Sequence, residues 1–367
     1  MLGKPSQQDA KNAIQSNYHR AVDRLIAMDV DGLSYNGTAP VDPLAAIWSA
    51  IQSWTVEYLN SNPNVAATEL SRRIGELNSE SAAETMFHLQ ASAIRLDTGE
   101  TTLYVVAANF SHRGEAFIVR RLATAQYEVA WDIKTAAARS QSLELKYWLD
   151  SATFDWHISA PQTAEPHSLT PTRNGHLRFY LATGSNPWVG GTWAKQISIW
   201  EWDRNEAIPL LVKNYYVSFE TSGFEENGNL LKIHTKEFPK TFSSCGECRE
   251  PEAIWTLQIT PDGVEDLGTE FEQPEYKLID DLLYRTQRRE PVTGLASDRV
   301  ARKLRDIVPE VKGQMNNLGM LFALKTAQQN GREIADITID GEYFSKLRFT
   351  FERRNGKLFA TAVKRLE

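Results

Sequence analysis

Asp155 and His157 are the residues of this chain whose types and spacing could support acid-base catalysis. On a strand, residues two apart point to the same face, so the carboxylate could orient the imidazole as a general base. No Gly-x-Ser-x-Gly elbow or other nucleophile motif accompanies the pair, and such pairs commonly form only a surface hydrogen bond. The pair supports one hypothesis, a hydrolase-type enzyme that uses the Asp155/His157 region.

Cys245 and Cys248 are the only cysteines, and their spacing suits a small disulfide ring, a shared metal or redox cycling. A thioredoxin-like motif places its first cysteine at a helix N-terminus, whereas here the segment Arg249–Pro251 leads into a strand. A zinc site needs four ligands, and only His234 lies near enough in sequence to suggest a third. We expect a loop pair, as a local disulfide or two free thiols, and we predict no metal and no cofactor.

Four tryptophans cluster between residues 188 and 202. Trp200 and Trp202 share one face of a strand, and we expect both to be buried because large aromatic side chains dominate protein cores. Trp188 and Trp193 flank a loop that contains Gly190 and Gly191, where burial is harder. Exposed tryptophans on a β surface commonly stack against sugar rings, so Trp188 and Trp193 are the predicted ligand-binding residues.

Composition and charge exclude several classes of function. Hydrophobic residues make up 42% of the 367, which is typical of a globular chain. The net charge is -7, from 47 acidic and 40 basic residues, and the basic residues are dispersed, so we predict no nucleic-acid partner. No run of eighteen apolar residues occurs, which predicts no transmembrane segment. The N-terminus lacks the apolar core of a signal peptide. The middle of the chain is rich in tryptophan and tyrosine and nevertheless favours an exported protein, with a cytoplasmic protein as the alternative.

The N-terminal segment has a helical period. Apolar residues recur at three- and four-residue steps from Ala10 to Met28, which predicts a first helix. A second helix is predicted to start at Asp42-Pro43, with the aspartate as cap, and a third to run from Ala66 to Leu77.

From about Ala83 the apolar period changes to two, and β-branched and aromatic residues become frequent. The predicted strands are Thr85–Arg95, Thr101–Phe110, Glu115–Leu122, Tyr127–Ile133, His176–Ala182, Ala194–Trp202, Ile208–Phe219, Leu230–Lys236 and Ala253–Ile259. Many strands with short links indicate an antiparallel meander. Its form stays open between a barrel, a sandwich and a propeller-like arrangement.

Beyond Pro274 the period is helical again. We predict one helix from Tyr276, a second capped by Ser297, and a third that carries Leu321, Phe322 and Leu324. A final hairpin is predicted to turn at Asn355-Gly356. The chain is therefore predicted to be mainly β with α+β flanks: a helical segment over 1–82, an antiparallel β domain over 83–270 and a C-terminal α+β unit over 271–367.

The stretch from Tyr18 to Arg24, followed by Asp29-Val30-Asp31-Gly32-Leu33, resembles the opening helix of the nuclear-transport-factor-2-like superfamily. This resemblance covers under a tenth of the chain. It implies a cone-shaped α+β fold with an apolar pocket against a curved sheet, and small-molecule binding or association as typical roles. It carries over no catalytic residue.

These observations favour a non-catalytic ligand-binding or interaction protein with an aromatic-rich β surface. Carbohydrate is one candidate ligand, and a small molecule or a protein partner is also compatible with such a surface. The sequence leaves the oligomeric state open.

Overall fold

The fold is mainly antiparallel β, as predicted from the sequence. The computed structural model describes residues 7–27, 41–78, 89–97, 101–110, 113–133, 165–169, 171–188, 192–203, 205–218, 224–236, 252–308, 320–329, 331–340 and 346–366. In these ranges five α-helices and sixteen strands form, and the strands make three sheets.

The N-terminal helices match the predicted ones. Their bounds are Gln7–Ala27 for α1, Val41–Ser61 for α2 and Ala67–Gly75 for α3, followed by a 3-10 turn, Glu76–Asn78. Each helix contributes an apolar stripe, with buried residues such as Tyr18, Ile51 and Leu70, to a common core. None of the helices in the described ranges is long and apolar enough to cross a membrane.

The first sheet lies against these helices. It runs in the order β1-β2-β3-β4, with bounds Leu89–Asp97, Thr102–Phe110, Arg113–Arg121 and Tyr127–Asp132. One face, with Tyr104 and Val106, belongs to the helical core. The opposite face, with Val105 and Ile118, shares a second core with Trp200 of the next sheet.

The second sheet has eight strands in the described residues. Their bounds are Glu165–Leu169 (β5), Leu177–Trp188 (β6), Thr192–Asp203 (β7), Glu206–Ser218 (β8), Phe224–Asn227 (β9), Leu230–Lys236 (β10), Glu252–Thr260 (β11) and Gly263–Phe271 (β12). The order is β12-β11-β10-β8-β7-β6-β5, and β9 pairs with β10. Each of the three sheets ends in unpaired edge strands in the described part of the chain, so none forms the closed barrel among the predicted forms.

The C-terminal helices and sheet confirm the predicted α+β character. Helices α4 (Pro274–Gln287) and α5 (Asp298–Ile307) precede a sheet of order β13-β14-β15-β16. The bounds of its strands are Met320–Gln329 (β13), Arg332–Asp340 (β14), Lys346–Arg354 (β15) and Lys357–Arg365 (β16). Ser297 caps α5 by accepting a hydrogen bond from the backbone NH of Val300, as predicted. Asn355 and Gly356 have φ values of 50° and 79°, the positive pair that a type I′ turn requires.

The predicted helix around Leu321 and Leu324 is wrong, because strand β13 covers this segment. Leu321 pairs with Ile339 and Ala323 pairs with Thr338, so Phe322 is an extra residue in a β-bulge. A bulge shifts the alternation of faces by one residue and breaks the period of two that identifies a strand. The apolar spacing left in the sequence therefore imitates a helix.

Backbone contacts divide the chain into two compact units. The first comprises Met1–Pro187, Trp193–Tyr215 and Gln258–Glu265, and the second comprises Trp188–Thr192, Tyr216–Leu257 and Asp266–Glu367. The boundaries near residues 83 and 270 remain a prediction from the sequence.

Candidate functional sites

The predicted ligand-binding residues lie at adjoining strand ends. Trp188 is the last residue of β6, and Trp193 is the second residue of β7. The two strands are neighbours in the second sheet, and residues 189–191 connect them. Both indole side chains, and the connecting residues, lie outside what the structure describes.

The other predicted site residues lie outside the described part of the chain. These residues are Asp155 and His157 of the hydrolase hypothesis and the thiol pair Cys245 and Cys248. His234, considered above as a third metal ligand, lies on β10, and its Nε2 atom is 3.0 Å from Oε1 of Glu225. Among the described residues, no three His, Cys, Asp or Glu side chains converge as a metal site would require.

Tryptophans are core residues wherever the structure describes their side chains. The buried set is Trp48, Trp54, Trp131, Trp200, Trp202 and Trp255. Trp200 packs edge to face against Trp131, with ring centroids 5.0 Å apart, and its indole NH donates to Oγ of Ser198 at 2.8 Å. The predicted burial of Trp200 and Trp202 is thereby confirmed.

A network of polar contacts around the buried Arg178 forms where β6 begins and β7 ends. Arg178 is 2% exposed, and its Nε and Nη2 atoms are each 3.3 Å from Oε2 of Glu201. The other carboxylate oxygen, Oε1, is 2.8 Å from Nδ1 of His176. Glu201 therefore contacts both His176, which directly precedes β6, and Arg178 on β6, because residues two apart share a face.

Further contacts fix the ends of this network. The Nη1 group of Arg178 donates to the carbonyl of Thr260 on β11, a strand that is not a neighbour of β6 in the sheet. The backbone NH of Arg173 donates to the carbonyl of Pro261 at 3.2 Å, and the Arg173 side chain pairs with Asp262 at 2.9 Å. All three nitrogens of the Arg178 guanidinium thus have acceptors, which suits a structural role that joins separate strands.

The network was not predicted from the sequence, although the sequence contains a signal for it. His176 and Arg178 are two residues apart at the start of β6, and Glu201 and Asp203 are two residues apart near the end of β7, so basic and acidic residue types have the period-two spacing of one sheet face. Nε2 of His176 is also 3.8 Å from Oδ1 of Asp203. The pairing of β6 with β7 is needed to bring the four residues together.

A polar cleft of about 300 Å³ opens at one end of the first sheet. Its lining includes Asp97, Thr101, Thr102 and Arg121. Thr102 donates to Asp97 at 2.7 Å, and Arg95 donates to the same carboxylate at 3.0 Å. Burial opposes ionisation of Asp97, but these two hydrogen bonds outweigh it and hold the pKa of the carboxyl below its usual value. The cleft therefore presents an ionised carboxylate that two donors already bind.

Comparisons with known proteins do not assign a family. No family model matches the chain, and no curated protein matches it. The solved structures that match include a Bombyx mori β-fructofuranosidase mutant of glycoside hydrolase family 32 in complex with sucrose. The TM-score is 0.22 and the sequence identity is 8%, and the match covers 73% of this chain and 49% of that chain. Another is a polysaccharide lyase, with a TM-score of 0.16 and 6% identity over 72% of this chain and 58% of that chain. This chain spans about half the length of these enzymes, and such TM-scores carry no argument about its fold or function.

Proposed function

We propose that this protein is a non-catalytic binding protein, that its ligand is a glycan, and that Trp188 and Trp193 contact it. The observation that carries the proposal is the position of these residues at adjoining ends of two neighbouring strands, β6 and β7. The two residues are five positions apart in the chain, one at the end of β6 and the other at the start of β7. Tryptophan offers a large apolar face and a polar NH group, the combination that a sugar ring requires.

The remainder of β7 supports this assignment. Trp200 and Trp202 fill the core that the second sheet shares with the first. Trp193 lies at the opposite end of the same strand, close in sequence to Gly190 and Gly191. Ligand-binding residues are commonly carried by loops at the ends of rigid strands.

Binding to a panel of soluble oligosaccharides, including cellohexaose, xylohexaose, chitohexaose and fructo-oligosaccharides, tests the proposal. We expect Trp188→Ala and Trp193→Ala each to weaken calorimetric binding of the best ligand by about tenfold or more, while the circular dichroism spectrum is unchanged. Ile208→Ala is the matched control, because it also truncates an apolar residue of this sheet, one that is 45% exposed. Binding that both tryptophan variants retain would remove the assigned site.

A second outcome would relocate the site. If Asp97→Asn abolishes glycan binding and the tryptophan variants do not, the polar cleft at the first sheet is the binding site instead. If no oligosaccharide in the panel binds to the unsubstituted protein, the proposed ligand class is wrong.

Two hypotheses from the sequence remain predictions beside this proposal. The hydrolase alternative requires Asp155 and His157, and it predicts release of reducing ends from an oligosaccharide that binds. Asp155→Asn and His157→Ala would abolish that release. The resemblance to the nuclear-transport-factor-2-like superfamily predicts an apolar small-molecule site instead, for which glycan binding would give no support.

A further inference from the structure

A groove between α1 and α2 has the size of a small-molecule site. Its volume is about 350 Å³, at the lower end of the range for ligand pockets. Helix α1 contributes Ile14, Asn17, Arg20, Ala21 and Arg24. All of these residues belong to the first compact unit, as do the residues contributed by α2.

The groove exists because α2 contributes only small side chains. Its lining residues are Ala46, Ser49, Ala50 and Ser53, which have the three- and four-residue spacing of one helix face. The large apolar residues of α2, Ile47, Trp48, Ile51 and Trp54, are buried in the core instead. Short side chains on the lining face leave the space between the helices open to a ligand.

The groove combines an apolar floor with a polar rim. Ala21 and Ala50 are 5% and 7% exposed and form part of the floor. Asn17, Arg20 and Arg24 are exposed along one side, and Ser49 and Ser53 are exposed along the other. A ligand that fits this arrangement has an apolar body and a head group that accepts hydrogen bonds from several donors.

The charge of the rim is positive, although the chain as a whole is acidic. None of the nine lining residues is acidic. Arg20 and Arg24 are four residues apart on one helix, a spacing at which like charges repel. Neither guanidinium has an ion-pair or hydrogen-bond partner among the described residues, whereas Arg72, Arg95, Arg120, Arg178 and Arg348 each bind a carboxylate. An oxyanion bound between Arg20 and Arg24 would relieve their repulsion.

We infer that the α1–α2 groove binds a small organic anion, with a phosphate or carboxylate head group on an apolar body. The Arg20 and Arg24 guanidinium groups bind the head group, because their planar forks match the oxygen geometry of both anions. Asn17, Ser49 and Ser53 supply further donors, and the apolar body contacts Ala21 and Ala50. This site is independent of the proposed glycan site.

Calorimetric titration of the full-length protein with four probes tests the inference: phenyl phosphate, benzoate, inorganic phosphate and benzyl alcohol. We expect phenyl phosphate or benzoate to bind more tightly than inorganic phosphate, because only the former two have an apolar body. Comparison of these two identifies the preferred head group. Benzyl alcohol lacks the charge and should not bind. Binding should weaken as sodium chloride is raised, because salt screens an exposed charge interaction.

Three variants locate the site. Arg20→Gln/Arg24→Gln removes both cations, and we expect it to weaken binding of the preferred anion by about tenfold or more. Ser49→Leu narrows the groove without changing charge and should also weaken binding; leucine is a better helix former than serine, so α2 should remain folded. Arg299→Gln/Arg302→Gln removes two exposed cations from α5 and should leave binding unchanged.

Equal weakening by the two double arginine variants would overturn the inference, because it would identify a general charge effect. Unchanged binding in Ser49→Leu would also overturn it, since the anion would then not occupy the groove. Absence of binding by both phenyl phosphate and benzoate to the unsubstituted protein would exclude the proposed ligand class.

Discussion

The sheets β1–β4 and β13–β16 share one strand order, and each is accompanied by helices, yet their burial differs. In the first sheet both faces are covered: Val106 belongs to the helical core, and its neighbour Val105 belongs to the core shared with the second sheet. In the C-terminal sheet, Phe349 is buried against α4 and α5, whereas the adjacent Thr350 is only partly buried. The same topology therefore serves as an internal layer in one unit and as an outer layer in the other.

The sequence records this difference in burial. Strand β2 has an uninterrupted apolar run from Leu103 to Ala108, whereas β15 alternates buried Leu347, Phe349 and Phe351 with more polar residues. A continuous apolar run suits a strand that is covered on both faces, and strict alternation suits a strand with one face towards water. The period of the apolar residues therefore indicates how many faces of a strand are buried, in addition to where the strand lies.

Asparagine substitutions at adjacent positions should show the largest difference in stability between the two sheets. Val105→Asn and Val106→Asn should each lower the free energy of unfolding by about 3 to 5 kcal/mol, because both place an amide in a core. In β15, Phe349→Asn should have a similar cost, whereas Thr350→Asn should cost less than about 1 kcal/mol. Urea denaturation followed by circular dichroism measures these differences.

The pattern among the four variants is decisive. If Val105→Asn is tolerated as well as Thr350→Asn, the face of the first sheet that carries Val105 is not a core. If Thr350→Asn costs as much as Phe349→Asn, the C-terminal sheet is covered on both faces and the two sheets do not differ.

Two ion pairs, one in a largely buried and one in a solvated environment, also differ in their expected contribution to stability. The side chains of Arg178 and Glu201 are 2% and 19% exposed, whereas those of Arg348 and Asp336 are 41% and 31% exposed. Arg178→Met leaves Glu201 without its guanidinium partner and should cost about 3 to 5 kcal/mol. Arg348→Met should cost at most about 1 kcal/mol, because water and side-chain entropy offset an exposed pair.

A double substitution separates the charge from the packing of Arg178. Arg178→Met/Glu201→Leu removes both charges and should be more stable than Arg178→Met alone in the same urea denaturation experiment. Equal stability of the single and the double variant would show that Arg178 acts through packing, and that no unpaired charge causes the loss.

Local signals predicted the strands of the first sheet, the Ser297 cap and the Asn355-Gly356 turn, because each depends on residues close in sequence. Strand β12 was missed because it is an exposed edge strand with no apolar alternation, and Leu267 within it is 50% exposed. Strand β13 was misassigned because its bulge interrupts the period. These failures share one cause: the sequence pattern reports burial on a regular strand, and neither strand is regular and buried throughout.

The sites were harder to predict than the fold because their residues are distant in sequence. Arg178 contacts Glu201 and Thr260, and these contacts require the order of strands in the second sheet. The groove requires α1 and α2 to pack side by side, since neither stripe of lining residues marks a site alone. The site at Trp188 and Trp193 stays a prediction, and it could be made from the sequence because these two residues lie close together in the chain.

The smallest predicted effect concerns the outward face of the C-terminal sheet, where Asp336 pairs in register with Arg348 and Lys325. Hydrogen bonds from Arg348 lower the pKa of Asp336 below its usual value. A carboxyl with a lowered pKa stabilises the fold above the pKa of the unfolded chain, near 4, and loses that contribution as pH falls through the folded pKa.

Replacing Asp336 should therefore make the stability of the fold less sensitive to a fall in pH. The Tm difference between the unsubstituted protein and Asp336→Asn should be largest at pH 6 and should shrink between about pH 4 and pH 2. Asp306→Asn is the control, because Asp306 is exposed on α5, outside the sheet. A constant Tm difference across this range would mean that Asp336 contributes through packing alone. A shrinking difference would mean that charge pairing between Asp336 and Arg348 stabilises the solvated face of this sheet.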